Sequence, residues 1–182
     1  MQKVKPAFFV VAALILAAAF SRLIPHWPNF TAVAAIALFG GARFRNKLIA
    51  FVIPLAALFL TDLILGLHST MIPVYAAFGI TVLLGMSLRN RTSALGVGTT
   101  AVAASVIFFL ITNFGAWLTM PMYTKDAAGL MMAYLNGLAF FNDGAMGVSP
   151  FINTLLGDLF YTGVLFGSYA LAGRKIPSLR TA

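Results

Sequence analysis

Two aspartates lie inside long apolar segments of the sequence, where an ionisable side chain is energetically costly. Asp62 falls about one helical turn before the end of the apolar run 48–66, and Asp158 falls eight residues into the run 150–172. Charged groups at membrane depth usually face a protein interior or a cavity, which makes them functional candidates. We therefore expect both carboxylates to point into a helix bundle.

Arg22 follows the first apolar run and is, with Lys125, the basic residue predicted nearest to these acids. Two roles are open to this arrangement. An ion pair between Arg22 and one aspartate would tie helices together. Alternatively, one carboxylate or the pair of them would line a substrate cavity.

His26 and His68 fall in the first and third connections between apolar runs. With Asp62 they could form a metal site, because imidazole and carboxylate groups are common ligands. No close-spaced ligand motif supports such a site, and ordinary histidines at the membrane interface are the favoured interpretation. We predict neither a metal nor a cofactor.

Catalytic motifs are missing from the sequence. It has no cysteine, which excludes thiolate catalysis. It has no GxxxxGK[ST] phosphate-binding segment, so the chain cannot couple ATP hydrolysis by that route. No spacing of serine, histidine and aspartate typical of a hydrolase stands out, and we predict that the chain is not an enzyme.

Further polar and aromatic side chains surround the long connection 119–149. The predicted substrate-binding residues are Arg22, His26, Asn29, Asp62, His68, Asn113, Trp117, Tyr123, Tyr134, Asn153 and Asp158. Small-molecule pockets are mostly apolar with a few convergent polar groups, and this set has that character. A polar cluster that only orients helices is the alternative.

The composition requires lipid as the solvent for these elements. Hydrophobic residues make up 61% and charged residues 9% of the 182 positions, against about 45–50% and about 25% in soluble domains. The net charge of +8 does not form a basic stripe among polar residues, so nucleic-acid binding is not predicted. We predict a single integral membrane domain over residues 1–182.

Six apolar runs predict an all-α fold, a six-helix transmembrane bundle. The spans are expected at about 7–24, 30–42, 48–66, 71–88, 93–118 and 150–172, with a long outer connection between the last two. The first run could instead be a signal peptide, because Lys3 and Lys5 precede it and Ala17–Ala19 resembles a cleavage region. The turn at 25–28 leads directly into another apolar run, which favours a retained helix.

The basic residues predict the orientation of the bundle. Ten of the twelve lie at the two termini and in the second and fourth connections, which six spans place on one face of the membrane. Lysine and arginine accumulate on the cytoplasmic side. We therefore predict a multi-pass protein of the bacterial cytoplasmic (inner) membrane with both termini in the cytoplasm.

The second span is unusually short. Its thirteen residues, 30–42, reach only about 20 Å at a rise of 1.5 Å per residue, against about 30 Å of hydrocarbon. With Arg43 at its inner end, its outer end would lie below the membrane surface. The connection 22–29 would then dip into the protein, which is tolerated only in a protein interior or a cavity. A longer helix beginning at His26 is the alternative.

The long connection contains a predicted short helix. Thr124 can cap this helix, Asp126 falls in its first turn, and it would run through Phe141. It would lie on the bilayer surface or act as a lid over an amphipathic ligand.

Small residues recur at a spacing of four in three of the spans. They are Ala13 and Ala17, Ala37 and Gly41, and Ala94 and Gly98. Such faces allow close helix packing, either within the chain or against another membrane subunit.

Four segments together resemble a family of bacterial membrane transport proteins that is itself uncharacterised. They are NFTAVAAIALFGGA at 29–42, Pro54–Ala56 with TDLILG at 61–66, NFGAW at 113–117 followed by Tyr123 and Gly129–Leu130, and GDLFY at 157–161. The resemblance covers most of residues 29–172. The family is more distantly similar to the substrate-binding (S) components of energy-coupling-factor vitamin transporters, mainly in size, helix number, topology and small-residue faces.

The S-component resemblance implies a six-helix bundle that binds a vitamin-sized substrate near its outer face. It also implies that the small-residue face of the first helix docks a transmembrane coupling subunit that works with ATPases. Our leading hypothesis is therefore small-molecule uptake, as a substrate-binding subunit or as a small solitary transporter. A membrane-embedded enzyme acting on a lipid or isoprenoid, or a non-catalytic assembly protein, is the alternative.

Reporter fusions test the predicted topology. A fusion at Ala182 is expected to report the cytoplasm and a fusion near Ser69 the outside, because the basic clusters lie on the side of the termini. A C-terminus on the outside would overturn the predicted orientation.

Overall fold

The computed structural model describes residues 6–89, 93–138, 149–176 and 179, and within them the regular elements are helices, with no strand. Seven α-helices follow one another: α1 (Pro6–Phe20), α2 (Val33–Arg43), α3 (Lys47–Leu65), α4 (Met71–Ser87), α5 (Ala94–Thr119), α6 (Ala127–Leu138) and α7 (Pro150–Lys175). A 3₁₀ turn over Ser21–Leu23 extends α1. The predicted all-α class is confirmed.

Four helices among the described residues are long and apolar enough to cross a membrane. They are Pro6–Leu23, Lys47–Leu65, Ala94–Thr119 and Pro150–Lys175. Large apolar side chains are exposed along all four, as expected where the surroundings are lipid. The chain is therefore a helical membrane protein. Helices α2, α4 and α6 are apolar but shorter, so length alone does not establish the predicted count of six spans.

Side-chain caps explain why three of the helices begin where they do. Asn46 accepts the backbone N–H of Ile49 at the start of α3 (3.1 Å), and Ser93 accepts that of Gly96 at the start of α5 (3.1 Å). Ser149 occupies the equivalent position before α7, which opens with a proline. Such caps satisfy backbone donors that the first turn of a helix leaves free.

Helix α2 lies at the centre of the bundle. Every residue of Val33–Ala42 is buried, and α2 contacts α1, α3, α4, α5 and α7. A helix that is apolar on all sides is stable when it is surrounded in this way. Its eleven residues span only about 16 Å. The prediction of a short second helix is confirmed, and α2 ends well inside the length of its neighbours.

The chain enters the bundle later than predicted. Residues 24–29 are exposed, and it is 30–32 that pass inside before α2 begins at Val33. The expected dip of the whole connection 22–29 is therefore wrong, and so is the alternative of a longer helix from His26. Apolar residues 30 and 32 can follow the chain into the bundle, whereas the more polar segment before them remains at the surface.

The chain can enter the bundle here because the facing helix, α7, has a glycine and therefore no side chain at the point of contact. A Cβ on Gly157 of α7 would lie 3.0 Å from the backbone nitrogen of Thr31 and 3.1 Å from the Cα of Phe30. Asn29, just before them, has a φ of 62°, a left-handed conformation that asparagine tolerates better than most residues.

Helices α2 and α4 touch through their backbones. A Cβ on Gly41 would lie 2.2 Å from the carbonyl oxygen of Val82, and a Cβ on Gly85 would lie 2.2 Å from that of Leu38. Neither position can hold a side chain without separating the helices. The small-residue face of the second span is thus used for packing within the chain.

The small-residue faces predicted on the first and fifth spans are not used in this way. Ala13, Ala17 and Ala94 are exposed, and a Cβ added to Gly98 would have nothing within 4 Å. Within the described part of the chain, neither face is buried against another helix as the face of α2 is.

A pair of glycine substitutions tests the packing of α2 on α4. Gly41→Ala should destabilise the protein by about 1–3 kcal/mol or more, because its methyl group cannot be accommodated without a backbone shift. Gly98→Ala, the same change at an open position, should leave the melting temperature in detergent unchanged or slightly raised. Equal melting temperatures for the two variants would contradict the close backbone contact.

Candidate functional site

An ion pair joins three helices at the end of the bundle where α1 and α3 finish, which we name the Arg22 end. Arg22 Nη1 lies 2.8 Å from Asp62 Oδ1 and also donates to the hydroxyl of Thr61. The hydroxyl of Tyr75 donates to Asp62 Oδ2 at 2.8 Å. The Asp62 side chain is 2% exposed and that of Arg22 is 13% exposed. The ion-pair role considered for the two acids therefore applies to Asp62.

Asp158 has a different environment. Its carboxylate is 2% exposed on α7 and accepts the hydroxyl of Ser105 on α5 at 2.8 Å. The backbone N–H of Ala34, in the first turn of α2, faces the same carboxylate. A carboxylate at this position interacts favourably with the dipole of α2. Within the described residues, no salt bridge joins Asp158 to a cation.

A cavity of about 390 Å³ lies at the Arg22 end, beside the N-terminus of α2. Five of the predicted substrate-binding residues line it: Arg22, Asn29, His68, Asn113 and Asp158. The expectation that both acids face the bundle interior is confirmed, but only Asp158 is in the cavity wall.

Six predicted residues do not line the cavity: His26, Asp62, Trp117, Tyr123, Tyr134 and Asn153. Three of them donate to the backbone instead. Trp117 Nε1 bonds the carbonyl of Thr124 at 2.8 Å, the Tyr134 hydroxyl bonds a carbonyl of α5 at 2.9 Å, and Asn153 Nδ2 bonds the carbonyl of Pro28 at 2.7 Å. Asn153 is buried and needs such a partner, whereas Trp117 and Tyr134 are partly exposed.

The two histidines are exposed and engaged locally. Nδ1 of His26 lies 2.6 Å from the carbonyl oxygen of Ile24, and Nδ1 of His68 lies 2.8 Å from the hydroxyl of Thr70. The described residues contain no group of three or more histidine and carboxylate side chains able to hold a metal ion. The considered site of two histidines with Asp62 is not assembled there.

Helix α6 packs against α5 beside the cavity. Its N-terminus is capped by Asp126, which accepts the N–H of Gly129 at 2.7 Å, whereas Thr124 donates to Asp126 at 2.8 Å. The predicted cap by Thr124 is therefore wrong. These hydrogen bonds, the one from Gly129 first, lower the pKa of Asp126 below its ordinary value. Phe141, the predicted helix end, lies outside the described residues.

The contact between α6 and α5 is made through small residues. Gly129 and Ala133 are the buried residues of α6, and a Cβ on Gly137 would lie 2.6 Å from Asn113 Oδ1. Tyr134 of α6 adds a ring contact with Phe109 of α5, with the ring centroids 5.8 Å apart. Gly137 and Asn113 both line the cavity.

Comparison with known proteins gives a family. The model of a protein family matches residues 2–179, nearly the whole chain. The chain belongs to DUF6580, a family of unknown function. Neither the curated proteins nor the solved structures contain a match. What this DUF6580 chain can do must therefore be argued from the geometry of its cavity.

Several cavity residues of this DUF6580 member were not among those predicted. They are the apolar side chains Phe108, Phe109 and Phe151 and the hydroxyls of Thr31, Thr70, Thr112 and Thr154. On α5 the sequence contained a usable signal. Ser105, Thr112 and Asn113 are polar positions of an apolar run at separations of seven and eight, which place them on one helix face.

A double-mutant cycle tests the ion pair at the Arg22 end. Arg22→Met and Asp62→Asn should each destabilise the protein by about 3–5 kcal/mol, because either change leaves a buried charge without its partner. The double variant should recover most of that loss in denaturant unfolding in detergent micelles. Additive losses would show that the two charges do not depend on each other.

Proposed function

We propose that the chain captures a small molecule in the cavity at the Arg22 end and serves its uptake across a membrane. It would act as a substrate-binding subunit or as a small solitary transporter. The observation that carries the proposal is the cavity of about 390 Å³ beside the N-terminus of α2, with Asp158 in its wall. Ligand pockets of about 300–1,000 Å³ with a few polar groups among apolar ones are typical small-molecule sites.

The shape of the chain around α2 supports a transport role. Irregular backbone at membrane depth is tolerated where it is buried in protein or lines a cavity, and Thr31, in the non-helical stretch 30–32 that enters the bundle before α2, lines the cavity. Interrupted helices whose termini face a site between other helices are common in membrane transporters. A central helix shorter than its neighbours produces the same geometry here.

A six-span topology fits the cavity position. In this proposal α2 and α4 are the two further spans, and α6 lies against α5 without crossing. With the termini in the cytoplasm of a bacterial cell and the protein in its inner membrane, the Arg22 end faces outward. The cavity then receives substrate from outside the cell, as uptake requires.

The exposed face of α1 supports a partner in the membrane. Ala13 and Ala17 are exposed, and α1 also exposes Phe9 (60%) and Leu16 (39%). A transmembrane coupling subunit that works with ATPases could pack closely on this face, which is the arrangement that the resemblance to S components implies. The cavity lies at the N-terminus of α2, so such a partner would leave it accessible.

Blocking the cavity tests the proposed function. Thr112 lines the cavity, whereas Thr99 lies on the exposed part of the same helix, and both hydroxyls bond the carbonyl four residues earlier. Thr112→Phe should reduce the occupancy of a co-purifying small molecule at least about tenfold, because an inserted phenyl ring fills ligand space. Thr99→Phe is the matched control and should leave occupancy unchanged.

Native mass spectrometry of gently purified protein measures this occupancy. The proposal fails if neither wild type nor Thr99→Phe carries a small molecule. It also fails if Thr112→Phe folds normally and retains the occupancy of wild type.

A further inference from the structure

The charges in the cavity wall do not cancel. Arg22 is held by Asp62, which lies behind it and does not line the cavity. Asp158 is in the wall, and within the described residues no cationic side chain forms a salt bridge with it. The other described polar residues of the wall are neutral amides and hydroxyls and the exposed His68. Among the described residues, Asp158 is therefore the acidic group of the wall that has no cationic partner.

We propose that the ligand of this cavity is an organic cation, an amine or ammonium group attached to an apolar body, whose charge binds at Asp158. This inference rests on the proposed small-molecule function and specifies its substrate class.

The hydrogen bonds of Asp158 leave room for such a group. Its carboxylate accepts the hydroxyl of Ser105 at 2.8 Å, and the backbone N–H of Ala34 faces it. An ionised carboxylate offers about four acceptor positions. These groups of α5 and α2 hold the carboxylate in place, and the remaining lone pairs can accept N–H donors of an ammonium ligand.

The apolar part of the wall also suits a cation. Phe108, Phe109 and Phe151 line the cavity, and the ring centroids of Phe109 and Phe151 are 4.8 Å apart. The faces of aromatic rings attract organic cations, most strongly where water is excluded. The carboxylate and the phenyl rings are thus two features of one cavity wall that attract an organic cation.

Other charged ligands fit this wall less well. An anion would be repelled by Asp158, and although the Nε–H of Arg22 has no partner among the described residues, the charge of that guanidinium is already balanced by the buried Asp62. A bare metal ion needs several ligands around one point, and the described residues hold no cluster of three or more such side chains. The cavity of about 390 Å³ has space for the apolar body of an organic molecule.

Three probes of equal shape and different charge test the inference. They are 4-phenylbutylamine, 4-phenylbutanol and 4-phenylbutyrate, titrated by calorimetry into the full chain in lipid nanodiscs. Wild type should bind the amine at least about tenfold more tightly than the alcohol, with the carboxylate weakest. Asp158→Asn should reduce the preference for amine over alcohol to less than about twofold.

Asp126→Asn is the matched control. It removes the same charge at an exposed position outside the cavity, and asparagine caps a helix about as well as aspartate. This variant should retain the preference of wild type. If Asp158→Asn does not fold, Phe151→Leu replaces it. Loss of the ring face should weaken amine binding about three- to tenfold and alcohol binding less, and an unchanged ratio would overturn the proposal.

The outcomes separate this inference from the proposed function. If wild type binds the alcohol or the carboxylate as well as the amine, or if Asp158→Asn keeps the tenfold preference, the cation proposal is wrong while small-molecule binding stands. If none of the three probes binds, the co-purified molecule decides: a cation supports the proposal, and a neutral or anionic molecule overturns it. If no probe binds and nothing co-purifies, the proposed function itself fails.

Discussion

The approach of the Asp158 carboxylate to the N-terminus of α2 is the interaction on which the Arg22 end depends. Helix α2 has eleven residues and begins inside the bundle, so its first-turn donors need acceptors close by. An unpaired backbone donor in a protein interior costs as much as a lost hydrogen bond or more. Asp158 of α7 places a carboxylate beside these donors, and Ser105 holds that carboxylate from α5. A short central helix is thereby made compatible with a membrane interior.

The same shortness produces the cavity. Because α2 ends before its neighbours do, the space above its N-terminus is bounded by α4, α5, α6 and α7 and by the chain that enters the bundle. The Arg22–Asp62 pair and its hydrogen bond from Tyr75 fix the wall on the α3 and α4 side. At the other end of α2, the glycine contact at Gly41 excludes space altogether. Helix α2 is therefore closely packed at its C-terminal end and open to the cavity at its N-terminal end.

The sequence was enough to predict those features of the architecture that depend on one physical rule. The cost of charge at membrane depth placed Asp62 and Asp158 inside, and the length of 30–42 identified the short helix. The hydrogen-bond partners of the polar side chains, by contrast, could be identified only from the folded structure. Trp117 and Asn153 bond backbone carbonyls seven and 125 residues away, and nothing in their local sequence indicates this. Ser105 was overlooked because a hydroxyl within an apolar helix often bonds only its own backbone, and the carbonyl oxygen of Ala101 lies within reach of it at 3.0 Å.

Two aspartates with similar local sequence differ in role because of what faces them. Asp62 faces an arginine and a tyrosine, which complete its interactions without a ligand. Asp158 faces two neutral donors, so its charge is held in position but not compensated. These donors belong to α2 and α5, and the acid itself to α7. In our proposal, a ligand bound to this carboxylate therefore interacts with three helices through one group. A rearrangement that moved α2 relative to α5 and α7 would then change ligand affinity, which is the thermodynamic requirement for coupling binding to a conformational change.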